Sequence, residues 1–316
     1  MYSIVLDTKD PVLNLATEEY LFHNSREDFI ILSINDPSVI VGKHQCVHRE
    51  VNTRFTESVK IPVLRRISGG GSVYHDHGNL NFAFIRKSEP GKQVDFRLYT
   101  QPVINFLQTF GVNAMFEGKN DIRVEGYKIS GNAEHVFRDR VLHHGTLLFD
   151  ADLESMRKSL KPESSNYETK AVDSNRSSVT NLKGMLKDIS SMQQLTGSLT
   201  AFLSETWDRL EPFDLSDTMK AEIRKLADSK YMTWEWNYGY GPAYKLNSSF
   251  IVNDKKHLLD FVVKDGIIWE CNISGSQEME LAAKKLIGCR HMYNDLSDLF
   301  RNESIRVTED ELWKFF

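Results

Sequence analysis

The segment RRISGGGSVYH (65–75) has the residue types and spacing that suit an anion-binding loop. Three consecutive glycines, Gly69–Gly71, lie between two predicted strands. Because they lack Cβ atoms, their backbone can reach positive φ and approach a ligand closely. Successive N–H groups in such a turn form a concave anion site, and Arg65 and Arg66 add fixed charge for phosphate or carboxylate. A glycine-rich hairpin with two solvated arginines is the alternative. No GKS or GKT follows, so the segment is not a P-loop.

A lysine among small residues is the second candidate. Lys128 is followed by Ser130 and Gly131, whose small side chains leave room for a ligand, and it lies shortly after Asn120 and Asp121. A lone lysine in a strand is more often a solvated surface charge. The residues alone therefore leave a ligand-binding role and a surface role open.

Two adjacent histidines, His143 and His144, lie in a predicted strand. Successive side chains of a strand face opposite sides of the sheet, so these two cannot bind one metal ion without distortion. No cysteine or acidic residue stands beside them at ligand spacing, and we predict no transition-metal site. A core position, or one just behind the ligand, is the interpretation we favour for them.

The three cysteines, Cys46, Cys271 and Cys289, form no CxxC pair. This argues against a disulfide framework or a zinc site and favours a reducing compartment. Cys46 lies between His44 and His48, a pattern that would also suit a Cys/His nucleophile pair. We interpret Cys46 as a buried or incidental cysteine.

The composition limits the classes of function. The chain has 316 residues, 41% of them apolar and 26% charged, as in soluble globular proteins of one large domain plus a smaller one, or of two domains. A net charge of −5 argues against a general attraction to nucleic acid or anionic membranes. We find no signal peptide and no run of ~18 apolar residues. We therefore expect a cytoplasmic protein.

Hydrophobic periodicity predicts the elements that position these residues. A helix begins at Asp10-Pro11, and alternation in NLNFAFI (79–85) predicts a half-buried strand. The polar stretch 161–181 is of a length that is usually disordered or a functional lid, and 246–316 resembles a small second domain. Further strands are predicted at 3–6, 29–34, 38–42, 62–66, 72–75, 112–117, 121–124, 127–130, 133–137, 141–149, 248–253, 258–264 and 267–273, and helices at 50–59, 96–109, 190–206 and 216–229.

Seven segments, in order along most of the chain, together resemble the lipoate–protein ligase A family. They are NLATEEY (14–20), RRISGGGSVYHDHGN (65–79), KND (119–121), KISGNA (128–133), HHGTLL (143–148), SSVTNL (177–182) and WEWNYG (234–239). Two departures are small. Tyr74 replaces the family's usual phenylalanine, and the strand near Leu32–Ile34 has no bulky aromatic residue.

The resemblance implies an α+β fold. It has a large mixed-sheet catalytic domain (1–240), related to biotin–protein ligases, and a small C-terminal α/β accessory domain (246–316). It also implies two half-reactions: lipoate, and also octanoate, attacks the α-phosphate of ATP to give lipoyl-AMP, and a lysine of an acceptor protein then takes the acyl group. The cofactors implied are ATP and Mg²⁺, with lipoate as substrate.

The resemblance also implies the site residues. Lys128 is the expected catalytic residue, bridging the lipoate carboxylate and the α-phosphate, and Asp121 is the expected Mg²⁺ ligand. The ATP or adenylate site would comprise Arg66, Gly71, Ser72, Val73, Tyr74, Asp121 and Lys128. The lipoate site would comprise Lys128, Arg65, Ser68, Gly70, His75 and His144, with Leu15, Ile40 and Val73 lining an apolar slot. Residues 166–181 would cover the adenylate.

The expected partners follow from the same resemblance. They are the lipoyl domains of 2-oxoacid dehydrogenase E2 subunits and the glycine-cleavage H protein, with neither nucleic acid nor membrane bound. We expect a monomer, and Lys170 and Arg176 are candidates to steer an acidic acceptor.

Alternatives to the ATP-dependent ligase remain open at this point. One is a lipoyltransferase that uses preformed lipoyl-AMP or a carrier-bound acyl group. Octanoyl-transferring relatives use a cysteine, which only Cys46 would supply here. Another is a non-enzymatic binding protein that retains the fold.

Overall fold

A large mixed sheet dominates the computed structural model, which describes residues 1–88, 94–161, 166–174, 177–207, 210–252 and 254–316. In chain order the strands are β1 (Tyr2–Val5), β2 (Phe29–Ile34), β3 (Ser38–Val41), β4 (Val63–Arg65), β5 (Val73–His75), β6 (Asn79–Lys87), β7 (Ala114–Glu117), β8 (Asp121–Val124), β9 (Tyr127–Phe137), β10 (Arg140–Leu148), β11 (Tyr167–Thr169), β12 (Glu211–Pro212), β13 (Tyr244–Val252), β14 (Lys255–Lys264) and β15 (Ile267–Ser274).

The helices lie between and after these strands. They are α1 (Pro11–Asn24), α2 (Val47–Glu50), α3 (Thr53–Ser58), α4 (Phe96–Thr109), α5 (Leu153–Ser159), α6 (Met192–Thr206), α7 (Asp217–Leu226), α8 (Gln277–Leu286), α9 (Tyr293–Asn302) and α10 (Glu309–Leu312), with π-helical turns at Ala227–Tyr231 and Glu235–Gly239 and a 3-10 turn at Trp313–Phe315. Among the described residues, none of these helices has both the length and the apolar character that crossing a bilayer needs.

The strands form three sheets. The eight-stranded sheet has the order β12-β1-β2-β6-β10-β9-β8-β7, the four-stranded sheet β11-β13-β14-β15, and the three-stranded sheet β4-β3-β5. In the eight-stranded sheet β1 pairs in parallel with β2 and β12. All the other neighbours, from β2 through β6, β10, β9 and β8 to β7, pair antiparallel. The predicted α+β class with a large mixed sheet is confirmed.

The segment just before α1 positions the helix against the sheet. The Asp10 carboxylate accepts a hydrogen bond from Val12 N–H at 2.9 Å, and Pro11 occupies the first turn, which satisfies one orphan donor and sets φ for the helix. Leu15, Ala16, Leu21 and Phe22 are buried on the helix. The predicted helix start is confirmed.

The prediction that β6 is half-buried was wrong. Residues Asn79, Asn81 and Ala83, expected on the exposed face, are 0%, 7% and 1% exposed. The reason is position, because β6 lies between β2 and β10 in the middle of the sheet and both of its faces are covered. The alternation therefore separates an apolar face from a polar buried face rather than core from solvent.

The stretch 161–181, expected to lack regular structure, is ordered in the part that the structure describes. Tyr167–Thr169 forms β11 and pairs antiparallel with β13, and Val179 bridges in parallel to Lys128. Residues 162–165 and 175–176 lie outside the described residues. The two strands predicted at 127–130 and 133–137 form the single strand β9.

The four-stranded sheet has an apolar core of its own with α8 to α10, which includes Phe261, Leu286 and Phe300. Three of its strands and all three helices come from residues after 243, whereas β11 comes from residue 167 onward. The division into domains at 1–240 and 246–316 stays a prediction.

Helix α4 offers a test of how the core beside the eight-stranded sheet is stabilised. Phe106 is 1% exposed within that core, whereas Leu98 on the same helix is 51% exposed. We expect Phe106→Ala to lower the free energy of unfolding by about 3 kcal/mol, because it leaves a cavity. The matched control Leu98→Ala should change it by less than about 0.5 kcal/mol. Urea unfolding followed by circular dichroism measures both, and equal effects would contradict this account of the core.

Candidate active site

A pocket of about 780 Å³ lies over the eight-stranded sheet, and a larger cleft of about 1710 Å³ adjoins it. Six residues line both: Ser72, Val73, Lys128, Gly131, Thr146 and Ser174. The site therefore consists of two adjoining cavities with a lysine at their junction.

The structure brings most of the predicted site residues to these two cavities. Those that line the pocket are Leu15, Ile40, Arg66, Gly71, Ser72, Val73, His75, Lys128 and His144, and Tyr74 lines the cleft. Four others, Arg65, Ser68, Gly70 and Asp121, line neither cavity.

The Arg66 guanidinium organises the glycine loop from inside. It donates to the carbonyl oxygens of Gly69 at 2.5 Å and Gly71 at 2.8 Å, to Ile40 O at 3.2 Å, and through Nε to Ser68 Oγ at 2.9 Å. Burial lowers the pKa of Arg66 to about 10, so the side chain remains charged at pH 7. Because its N–H groups bind oxygens of the protein, Arg66 stabilises the conformation of the loop as well as supplying positive charge.

The loop amides remain available to a ligand. Within the described residues, the N–H groups of Gly69, Gly70 and Gly71 donate to no protein acceptor. Consecutive main-chain N–H groups without a protein acceptor are a feature of anion-binding turns.

Arg65 was predicted to contact lipoate, and the structure places it elsewhere. The side chain is 0% exposed and donates to the carbonyl oxygens of Gly42, Lys43, Gln45, Trp236 and Asn237 at 2.8 to 3.1 Å. It therefore joins the turn after β3 to the second π-helical turn, because the three nitrogens of one planar group reach carbonyl oxygens of both segments.

Close backbone contact explains a glycine that sequence reasoning missed. A Cβ atom on Gly42 would lie 2.0 Å from the carbonyl oxygen of Gly70. Gly70 itself has a φ of +84°, a conformation that glycine adopts at little cost. The signal that would have found Gly42 is its place at the end of the predicted strand SVIVG.

Lys128 is held at the junction by an ion pair. Its Nζ lies 2.8 Å from Asp121 Oδ1, and Asp121 Oδ2 lies 2.9 Å from Arg123 Nη2. The side chain of Lys128 is 20% exposed and that of Asp121 only 4%. A buried carboxylate thus positions an accessible ammonium, which can exchange this partner for an anionic ligand in the cavities.

The assignment of Asp121 as a Mg²⁺ ligand stays a prediction. Each of its carboxylate oxygens already faces a cation, and a metal ion would have to displace Lys128 or Arg123. Mg²⁺ demands near-ideal octahedral oxygen ligation. Among the described residues, no group of three or more His, Cys, Asp or Glu side chains is placed to hold a metal.

The two adjacent histidines take different roles, as the predicted strand geometry requires. His143 is 0% exposed and stacks near Tyr99 in the core, with ring centroids 4.9 Å apart. His144 faces the pocket, where its Nδ1 lies 2.8 Å from Glu18 Oε2 and its Nε2 lies 2.6 Å from Ser68 Oγ. Glu18, which the sequence analysis did not single out, thereby connects α1 through His144 and Ser68 to Arg66.

The segment after β11 closes over the glycine loop. Ser174 Oγ accepts from Ser72 N–H and from the Gln45 amide, both at 3.0 Å, and a Cβ on Gly71 would contact it. Further on, Lys128 N–H donates to Ser178 O at 2.9 Å. Lys170 is exposed on this segment, and Arg176 lies outside the described residues.

Cys46 is buried, as predicted. It is 1% exposed and lines neither cavity, and burial raises its pKa to about 12. A thiol of that pKa is almost wholly protonated at pH 7 and is a poor nucleophile.

Comparison with known proteins connects this geometry to a family. The sequence profile described as "Lipoyl protein ligase A/B catalytic domain" matches residues 10–204. Lipoate–protein ligase 1 of Staphylococcus aureus is 36% identical over 318 residues, covering 94% of this chain and 96% of that protein. Lipoate-protein ligase LplJ of Bacillus subtilis is 37% identical over 270 residues, covering 84% and 82%.

Solved structures are similar as well. The T. acidophilum protein Ta0514, solved with bound lipoic acid, has a TM-score of 0.66 and 27% identity and covers 75% of this chain and 99% of its own. A lipoate-protein ligase A bound with ATP has a TM-score of 0.64 and 28% identity, covering 76% and 98%. A bipartite lipoate protein ligase from T. acidophilum, described with its E2 lipoyl domain, has a TM-score of 0.65 and 27% identity, covering 76% and 96%.

Gly42 and Gly69 differ sharply in what an added methyl group would contact. We expect Gly42→Ala to displace the loop and lower the free energy of unfolding by about 2 kcal/mol, because the new Cβ would clash with backbone. Gly69→Ala is the matched control, since nothing lies within 4 Å of its Cβ position. Thermal unfolding of both variants measures the difference, and a Gly42→Ala protein as stable as Gly69→Ala would show that the described contact between Gly42 and Gly70 is wrong.

Proposed function

Since the chain belongs to the lipoate–protein ligase family and is a ligase, we propose that it activates lipoate with ATP to give lipoyl-AMP and then transfers the lipoyl group to a lysine of an acceptor protein. The observation that carries this proposal is the position of Lys128, which lines both the pocket and the cleft. The pocket would hold the acyl chain and the cleft the nucleotide.

The pocket suits an acyl acid whose carboxylate lies at its mouth. Leu15, Ile40 and Val73 supply apolar wall, and Lys128 stands where the carboxylate would meet the nucleotide. Solved relatives with bound lipoic acid and with bound ATP support lipoate and ATP as the two ligands. Octanoate, which shares the carboxylate and chain length, is a proposed second substrate.

The first half-reaction brings two anions together. A carboxylate oxygen of lipoate attacks the α-phosphorus of ATP, a bond to phosphorus forms, and the bond to the bridging oxygen of pyrophosphate breaks. Lys128, released from Asp121, would contact both the carboxylate and an α-phosphate oxygen and offset their repulsion. The N–H group of Gly71, which lies next to the junction residues Ser72 and Val73, would donate to a phosphate oxygen, and such a preorganised donor is worth ~3 kcal/mol in comparable sites.

The second half-reaction breaks the mixed anhydride. The acceptor lysine, as a neutral amine, attacks the acyl carbon, AMP leaves, and the amide forms after loss of a proton. Ser174 and the neighbouring residues over the loop would limit access of water to the anhydride. The proposed acceptors are lipoyl domains, as in the relative described with its E2 lipoyl domain, and the glycine-cleavage H protein.

The burial of Cys46 weighs against a cysteine-based transferase. A covalent acyl-thioester route would need an accessible thiolate near the pocket, whereas this thiol is buried and outside both cavities. The remaining alternative, a transferase that accepts only preformed lipoyl-AMP, differs from the proposal in its ATP requirement. Pyrophosphate release from ATP and lipoate, followed by a mass increase of an acceptor lipoyl domain, distinguishes the two.

Replacement of the junction lysine tests the first half-reaction. We expect Lys128→Ala to lower the rate of lipoate-dependent pyrophosphate release by about 10²-fold or more, because the two anions lose their shared cation. Lys285→Ala is the control, since Lys285 also forms an ion pair, 2.6 Å from Glu303, on an exposed helix. If folded Lys128→Ala protein activated lipoate at the normal rate, the assigned role of Lys128 would be disproved.

Replacement of the buried cysteine tests the competing route. We expect Cys46→Ala to retain transfer from lipoyl-AMP within about twofold, since a protonated thiol does not attack acyl groups. Circular dichroism of the variant establishes that it folds. Complete loss of transfer by folded Cys46→Ala protein would favour the covalent route.

A further inference from the structure

Hydroxyl and amide side chains, rather than apolar ones, form the floor of the pocket. Ser33, Asn81 and Thr146 lie opposite one another on β2, β6 and β10, and all three line the pocket. On β9, Gly131 N–H donates to Thr146 Oγ1 at 3.2 Å, and Lys128 Nζ lies 2.9 Å from the Cβ position of Gly131. Because neighbouring strands are about 4.8 Å apart, the row extends roughly 14 Å from the lysine to Ser33.

The end of the pocket beyond Ser33 is also polar. Asn14 Nδ2 donates to Asn35 Oδ1 at 2.7 Å, and Asn35 Nδ2 lies 2.9 Å from His75 Nδ1. Since an amide nitrogen can only donate, His75 Nδ1 accepts, and the proton of the neutral ring is on Nε2. Burial lowers the pKa of His75 to about 3, so the ring is neutral at pH 7.

Three polar atoms of these side chains are left without a partner among the described residues: Asn14 Oδ1, His75 Nε2 and Asn81 Nδ2. Their residues are 2%, 7% and 7% exposed and all line the pocket. Buried polar groups are nearly always hydrogen-bonded, and an unpaired one is costly. The pocket is thus built with one acceptor and two donors that only something inside it can satisfy.

We propose that this polar end binds a hydrogen-bonding or sulfur-bearing remote end of the acyl substrate, and that it selects lipoate over unsubstituted fatty acids such as octanoate. The inference rests on the proposed function, because it assigns this pocket to an acyl acid. Sulfur is a weak acceptor and readily polarised, so the dithiolane ring takes up the N–H groups of His75 and Asn81. A methyl end displaces any water there and leaves both donors unpaired.

Four acids test the inference on the full chain. Lipoate is compared with octanoate, and 8-hydroxyoctanoate with nonanoate, which has the same length but ends in a methyl group. We expect kcat/KM for pyrophosphate release to be at least about tenfold higher for the first member of each pair, and calorimetry to show the same order of affinities. Equal values within both pairs would overturn the inference.

Two variants locate the effect. Asn81→Leu removes a donor while keeping side-chain size, and Ser33→Ala is a milder change in the same row that spares the Asn79–Asn81 hydrogen bond. We expect the preference for lipoate to fall about fivefold or more in the first and about twofold in the second. Ser249→Ala, on an exposed strand position far along the chain, is the matched control. If the variants that fold kept the normal preference for lipoate over octanoate, the assignment to this row of side chains would be overturned.

The two measurements separate this inference from the proposed function. If no acid supports pyrophosphate release but calorimetry shows the expected preference, the proposed function fails and the polar subsite stands. If all four acids are activated with equal kcat/KM, the polar subsite fails and the proposed function stands.

Discussion

A buried guanidinium that binds main-chain carbonyls is the interaction on which the site depends. Arg66 takes the carbonyl oxygens of Gly69 and Gly71, while the N–H groups of Gly69, Gly70 and Gly71 have no acceptor among the described residues. The charge that stabilises an anion and the geometry that receives it thus come from one side chain. The neighbouring Arg65 binds the main-chain carbonyls of the turn after β3. Two consecutive arginines thus hold the glycine loop and the turn that packs against it.

Burial makes this arrangement rigid at an energetic cost. Both arginines are at most 6% exposed, and burial lowers the pKa of each to about 10. A guanidinium in that position is tolerated because each donor finds an oxygen, whereas an unpaired buried charge would destabilise the fold. Hydrogen bonds from Glu18 through His144 and Ser68 to Arg66 connect helix α1 to the same framework, so the pocket and the glycine loop share one polar network.

Sequence reasoning reached the parts of the site that local patterns encode. The glycine loop, Lys128 and the opposite faces of His143 and His144 follow from residue type and from the period of a strand. It failed where the deciding contact is distant: Arg65 meets Asn237 across a separation of 172 residues, which spacing cannot reveal. The place of Gly42 at the end of the strand SVIVG marks it as a candidate turn residue, but only the fold shows that Gly70 packs against it. The alternation in β6 was seen, but its meaning depended on which strands flank it.

The pairing of β11 with β13 has a consequence for how the chain is made. Thr169 leaves the ribosome about 75 residues before its partner Tyr244, which at ~5–20 residues per second is a delay of roughly 4–15 seconds. During this delay β11 has no neighbouring strand to pair with. The edge strand β11 is therefore paired only after β13 has emerged.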